Sequence, residues 1–353
     1  DLKSHQAAHK ALNNRKGAVV AIDIKDGSIV TLFSSPTFPT NQLANGILQK
    51  DFDELLLSEE KPFFNRALKG RYPPASAIKP AIAMYGIEEG LIDWNFSIFD
   101  EGFFTLPEDG RIYRDWKEGG HGNTNLFKAI TQSSNTYFFD LAYRSDINQL
   151  NKHLLSLGFG DKACIDCFEE DKAFVPEPSW KMNKHNFGWF KGDTVNMGVG
   201  QGYLVSTPVQ LAKYAYIMAN KGKFSDLSLK KDLVKSEKSI EFNKFSNDDW
   251  FKLHESMINV IEGNTGTARR LREKKNYIVA AKTGTAELVS GDNREQYSET
   301  RLDDNLRDHA LIIAFGPMPN PRYAVSVVVE NGESGGSVAG PVAISVLNSL
   351  IQE

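Results

Sequence analysis

Two hydrophobic rhythms run along the chain, one strand-like at its ends and one helical in between. Gly17-Ala18-Val19-Val20-Ala21-Ile22-Asp23-Ile24 is a β-branched apolar run and predicts a strand. Asp26-Gly27 follows as a hairpin signal, so Ser28 to Phe33 is predicted to pair back. Leu2 to Asn13 reads as a short amphipathic helix. Near the other end, strands are predicted over Tyr277 to Val289, His309 to Pro317 and Tyr323 to Glu330, then a helix over Pro341 to Ile351. The middle is predicted to be helical over Ser76 to Glu88, Leu126 to Gln132, Thr136 to Arg144 and Thr207 to Asn220. Pro36, Pro39 and Pro62 predict a loop-rich stretch up to Gly70. Lys221 to Asp249, rich in Lys, Ser and Asp, reads as a solvated excursion. Strands at both ends with helices between them predict an α+β fold: one sheet joined by the termini, with a helical insertion.

Composition narrows the function classes. The 353 residues are 41% hydrophobic, enough for a large core, and the net charge of −4 asks for no nucleic-acid partner. No apolar run approaches the ~18 residues that a membrane span needs. The opening at Asp1, without Met or a signal peptide, is read as that of a fragment whose anchor has been removed. Cys164 and Cys167 form a C-x-x-C pair that cannot complete a zinc site alone. Its flank, Gly158 to Ala163, reads as a loop and not as the strand-to-helix turn of a redox motif, so a structural pair is expected.

Three short motifs carry chemistry. Ser76-Ala77-Ile78-Lys79 places a hydroxyl and an amine one helical turn apart, at the start of an apolar helix. Serine needs such a base, and lysine serves only when burial or a neighbouring cation holds it neutral. The spacing alone is weak: Ser228-Leu229-Lys230-Lys231 repeats it inside the charged excursion, where a solvated surface is expected. Ser133-Ser134-Asn135 is a polar break between two helices. Lys282-Thr283-Gly284-Thr285 lies within a predicted strand, where glycine marks a close approach to its edge. S-x-x-K, S-x-N and K-T-G in that order are the set used by penicillin-binding proteins and class A β-lactamases.

With these motifs on the page, the chain resembles the transpeptidase region of class B penicillin-binding proteins, within their elongation-type PBP2 branch. Gly70-Arg71-Tyr72-Pro73-Pro74, Asn65-Arg66-Ala67, Tyr113-Arg114-Asp115-Trp116, Gly119-Gly120-His121-Gly122, Gly200-Gln201-Gly202-Tyr203 and Arg307-Asp308-His309 carry that resemblance across the whole chain. It implies a penicillin-binding, serine β-lactamase-like fold: a five-stranded, mainly antiparallel sheet flanked by helices, plus a helical subdomain. Residues 1–353 would be one transpeptidase domain, with 17–34 and 277–351 forming the sheet and 76–275 mainly helical. The membrane anchor and most of the N-terminal pedestal would be absent from this chain. By resemblance, Ser76 is the nucleophile, Lys79 its base, and Ser133 and Asn135 relay protons and hold the substrate amide. Lys282, Thr283, Gly284 and Thr285 bind the substrate carboxylate, Lys282 helps to depress Lys79, and the backbone N–H groups of Ser76 and Thr285 form an oxyanion hole.

The implied substrate is the D-Ala-D-Ala end of a peptidoglycan stem peptide, cross-linked during cell-wall elongation, with β-lactams acylating the same serine. Implied partners are a membrane SEDS-family glycan polymerase and elongation-complex proteins, around an inner-membrane-anchored protein whose catalytic domain is periplasmic. No cofactor is expected. Three features depart from the pattern: Ala75 stands where the family usually has Gly, Asn135 where some PBP2 members have Asp, and Lys221 to Asp249 matches poorly. Asp100, Asp115 and His121 are zinc-compatible, and some PBP2 relatives add a cysteine in the second motif. Here that position is Ser134, so either a metal or a hydrogen-bonded Asp–His pair is open, and no metal is expected. Alternative functions are a D,D-carboxypeptidase or β-lactamase, with Glu255 to Asn259 as a superficial E-x-x-x-N match, and a non-catalytic β-lactam sensor.

Overall fold

The computed structural model describes residues 1–231, 233, 236–288 and 306–352. A five-stranded antiparallel sheet is built from β1 (Gly17–Asp23), β2 (Ser28–Ser35), β3 (Ile278–Ala286), β4 (His309–Met318) and β5 (Tyr323–Val329). Its order is β2-β1-β5-β4-β3, so β3 is an outer strand. All five strands coincide with the predicted runs to within a few residues; Val289, the predicted end of β3, lies outside the described residues.

Strand alternation sorts the apolar side chains onto two faces. Val19, Ala21, Val279, Ile312, Val325 and Val327 face one core, which α1 (Leu2–Leu12) covers with the C-terminal helix Gly340–Ile351. Val20, Ile22, Leu311, Ile313 and Val328 face the other, larger core. There they meet α2 (Lys79–Glu88), α3 (Leu126–Gln132), α4 (Asn135–Arg144), α5 (Lys191–Gly198) and α6 (Pro208–Ala219). The helix α7 (Asn247–Glu262) divides its apolar side between both cores, with Leu253 and Met257 in one and Val260 and Ile261 in the other. A part-buried ion pair ties the sheet to the helical part: Arg66 Nε donates to Glu330 Oε1 at 2.9 Å, and Tyr72 OH donates to the same oxygen at 2.7 Å.

Three expectations change. The proline-rich stretch to Gly70 contains helices at Thr40–Asn45, Gln49–Leu57 and Arg66–Lys69, because none of its prolines falls inside them. The helix predicted from Ser76 begins as a 3₁₀ turn, Ala75–Ile78, and becomes α-helical only at Lys79. The excursion from Lys221 is not solvated throughout: Lys223–Ser225 pairs with Glu237–Ser239, and Leu227 and Ser228 are fully buried. Ser228 Oγ bonds Asp166 Oδ2 at 3.1 Å, so the second S-x-x-K serine is a buried structural hydroxyl rather than a surface one. Cys164 and Cys167 are joined as a disulfide, in the loop that pairs with Leu227.

Candidate active site

The Ser76 turn is wedged between two tight contacts. Ala75 N donates to Gly200 O at 2.9 Å. On the other side β3 approaches so closely that a Cβ on Gly284 would lie 3.3 Å from Ala77 N and 3.2 Å from Pro74 O, which explains glycine at that position. Ala75 itself has φ +47°, a left-handed conformation that glycine adopts without penalty. That is the physical content of the departure noted at Ala75.

The second motif is shaped by two caps. Ser133, with φ +61°, ends α3 in the left-handed region, and the Ser134 hydroxyl caps α4 by accepting from Tyr137 N at 3.1 Å. Ser133 and Asn135 are thereby turned onto Lys79. Its Nζ donates to Ser133 O at 2.8 Å, Ser134 O at 3.1 Å and Asn135 Oδ1 at 2.6 Å, and approaches Ser133 Oγ at 3.4 Å. From the third motif, Lys282 Nζ donates to the same Ser133 Oγ at 2.8 Å. Both lysines are fully buried. No hydrogen bond among the described residues joins Ser76 Oγ to Lys79; the shared helical turn keeps them within one side chain's reach.

Burial brings Lys79 down to about 7, against the carboxylates of Asp115 and Asp100, which raise it. Lys282 is lowered well below its ordinary value, by burial first and then by Lys79. Burial is thus the leading cause for both amines, and their mutual repulsion adds to it. Thr283 Oγ1 lies 2.7 Å from Thr267 Oγ1, so Thr267 buttresses the third motif. Thr285 directs its backbone away from β4, since its carbonyl accepts from the Gln201 side chain at 3.3 Å. In an antiparallel strand the N–H and C=O of one residue point the same way, so Thr285 N–H also faces outward, beside the Ser76 turn.

Asp115, weighed above as a zinc ligand or as half of a hydrogen-bonded Asp–His pair, also anchors the second motif. Its Oδ2 accepts from Asn135 N at 2.5 Å and Thr136 N at 3.0 Å, anchoring the first turn of α4. Despite burial it is held down at about 2, by His121 and Lys79 among others. His121 Nε2 lies 3.2 Å from Asp115 Oδ1, and its Nδ1 2.9 Å from Gln132 Oε1. Trp116 Nε1 donates to Ser133 O and Gln132 O, both at 3.2 Å, while the residue as a whole stays exposed. Only the phrase around Asp115 and Trp116 hinted at these contacts.

Asp100, Asp115 and His121 do gather, buried, with ligand atoms within 4.8 Å of one another. The corner that would close a four-ligand zinc site is the Ser134 hydroxyl, which instead donates to Asp100 Oδ2 at 2.7 Å. Hydrogen bonds occupy the other Asp100 oxygen, through Gly102 N, and both Asp115 oxygens. This donor set does not fit a closed zinc centre. Glu255 and Asn259 lie within α7, where Asn259 Nδ2 donates to Glu255 O at 2.9 Å as an ordinary helical contact.

Residues 17–348 match the family model described as the penicillin binding protein transpeptidase domain. The chain is 40% identical over 341 residues to the peptidoglycan D,D-transpeptidase MrdA of Acinetobacter baumannii, covering 94% of this chain and 50% of that protein. It is 37% identical to MrdA of Haemophilus influenzae, over 100% of this chain and 56% of that protein. Among solved structures, Pseudomonas aeruginosa PBP2 in complex with WCK 5153 superposes with a TM-score of 0.90 at 35% identity, over 100% of this chain and 78% of that one. PBP2 of Helicobacter pylori, in its complex with MreC, gives 0.89 at 30% identity, over 100% and 63%. The chain spans about half the length of the curated relatives it matches.

Proposed function

The chain belongs to the penicillin-binding protein transpeptidase family, in its PBP2 branch, and from that premise we propose that it is the catalytic domain of a peptidoglycan D,D-transpeptidase acting in cell-wall elongation. The observation that carries this reading is the convergence of two buried lysines, Lys79 and Lys282, on the single hydroxyl of Ser133. It joins the three motifs into one proton path beside Ser76.

In this reading Ser76 Oγ attacks the penultimate D-Ala carbonyl, and the neutral Lys79 amine takes its proton. The backbone N–H groups of Ser76 and Thr285 hold the oxyanion. The tetrahedral intermediate collapses with cleavage of the peptide C–N bond, and Ser133 passes the proton from Lys79 to the departing D-Ala amine. An amine of a second stem then attacks the acyl-enzyme carbonyl and gives up a proton through Ser133 and Lys79. The ester bond to Ser76 Oγ breaks as that oxygen takes the proton back, which forms the cross-linking amide and restores the serine. The substrate carboxylate meets Lys282, Thr283 and Thr285, with Gly284 giving it room along β3. Its charge favours the protonated form of Lys282, which burial otherwise opposes. Asn135 holds the substrate amide. Deacylation by water has no comparable support, since Asn259 turns back on its own helix.

The Cys164–Cys167 disulfide accords with an oxidising compartment, the periplasm. No helix among the described residues is long and apolar enough to cross a membrane. As H. pylori PBP2 was solved with MreC, so the whole protein is proposed to work with elongation-complex proteins and a SEDS-family polymerase. Intact-mass measurement after benzylpenicillin treatment tests the catalytic reading. A stable adduct on Ser76, absent from Ser76→Ala, is expected; rapid release of hydrolysed drug overturns it.

A further inference from the structure

Gln201 holds a position that the reaction steps above do not explain. Among the described residues, β3 is an outer strand that pairs with β4 alone. Its free edge, at Thr285, is where an extended peptide entering beside Ser76 can add as a further strand. The Thr285 carbonyl on that edge is already taken, by the Gln201 side-chain amide at 3.3 Å. The backbone under Gln201 is pinned on both sides: Gln201 N donates to Asn196 O at 3.0 Å, and Gly200 O accepts from Ala75 N at 2.9 Å. The side chain thus bridges the Ser76 turn and the outer edge of β3, with its NH₂ where a backbone N–H of a bound peptide would lie.

We infer that Gln201 is a specificity-determining residue: it satisfies the Thr285 carbonyl in the free protein and yields it to the amide N–H beside the reacting carbonyl of the acyl donor. This deepens the proposed function and rests on it. A donor with an N–H at that place exchanges one hydrogen bond for another. A donor without it binds around the side chain and leaves the bond from Gln201 to Thr285 in place. Gln201 therefore charges every amide-bearing donor the cost of its own displacement, and removing it relieves those donors most.

The test compares second-order rate constants of Ser76 acylation for the wild type, Gln201→Ala and Gln201→Met. The probes are benzylpenicillin, which carries an acylamide N–H beside its lactam carbonyl, and imipenem, which carries a hydroxyethyl group there. Methionine keeps the length without the donor, so it provides the reading if the alanine variant folds poorly, as judged by thermal melting. The benzylpenicillin-to-imipenem ratio is expected to rise about 2–10-fold in both variants, the worth of one exposed hydrogen bond. An unchanged ratio overturns the inference, including one in which both constants fall together through a damaged turn. A lowered ratio overturns it too, and makes Gln201 a donor to the bound substrate. If neither compound acylates the wild type, the proposed function itself fails and takes this inference with it.

Discussion

Gly200→Ala puts the wedge behind Ser76 under direct test. Gly200 has φ +71°, and an added Cβ would lie 2.2 Å from Ala75 O and 2.7 Å from Ala75 N, where real side chains keep at least 3.0 Å. Two costs follow. The left-handed backbone costs any L-residue about 1–2 kcal/mol. The overlap is with backbone on both sides, so the Ala75 turn must retreat by about 1 Å, carrying Ser76 away from Thr285. A displacement of that size costs a reaction on the order of 100-fold in rate. Gly202→Ala separates the two effects: its φ is +76°, yet its Cβ would meet only Asn196 Cβ, at 3.3 Å. Stopped-flow acylation by a fluorescent penicillin and thermal melting, run side by side, read both costs. Both variants are expected to lose about 1–2 kcal/mol of stability, but only Gly200→Ala to acylate on the order of 100-fold more slowly. Equal slowing in the two variants, or a wild-type rate in Gly200→Ala, would refute the claim that Gly200 sets the position of Ser76.

Because burial holds Lys79 at about 7, acylation is expected to climb about tenfold between pH 6 and 8 and then level as the amine becomes fully neutral; a rate still climbing steeply at pH 9 contradicts this. Ala75 and Ala77 are both fully buried, but only Ala75 has a positive φ, so in chemical denaturation Ala75→Gly should cost about 1–2 kcal/mol less than Ala77→Gly. Arg66→Ala removes the counter-charge of part-buried Glu330, which keeps the Tyr72 hydroxyl, and returns the carbonyls of Glu60 and Lys61 to water, so it should cost about 1.5–3 kcal/mol by the same measurement; a loss below about 0.5 kcal/mol would show the pair to be incidental. Ser134→Cys supplies the missing soft ligand beside Asp100, Asp115 and His121, so elemental analysis should find near-stoichiometric zinc in the variant and markedly less in the wild type.

How much of this was legible in the sequence depended on whether the signal was local. The five strands announce themselves because β-branched runs such as Ala18 to Ile22 and Ala324 to Val329 are bounded by turn residues. The helix Asn247–Glu262 was half hidden, although Ser246 and Asp249 form a capping box at its start. Its charged first turn blends into the Lys- and Ser-rich stretch before it, and composition outweighed the cap. Ser228 misled in the same way, since its charged neighbours suggested a surface and the hydroxyl is buried on Asp166. At the site, the motif residues could be found by order and spacing. Gln132, Thr267 and Gln201 could not, because each acts through a hydrogen bond to a residue distant in sequence or to a backbone atom, which leaves no periodicity.

The same distinction governs how Lys79 reaches the neutral form that the proposed mechanism requires. The S-x-x-K spacing supplies at most proximity, and it recurs without chemistry at Ser228 and Lys231, where the segment is not helical and the Ser228 hydroxyl is bound to Asp166. What lowers Lys79 is the absence of water, and three segments far apart in sequence exclude it together: the Ser76 turn, the α3–α4 break and β3. Each is held by a local feature with no chemistry of its own: the left-handed Ala75 against Gly200, the Ser134 cap and Asp115 anchor on α4, and the missing side chain of Gly284. Loosening any one of them admits water to Lys79 and returns its amine toward an ordinary, protonated lysine. The activity of the motif therefore resides in closure between the sheet and the helical part. Damage at Gly200 or Asp115 should accordingly appear as a shifted pH profile of acylation as well as a slower rate.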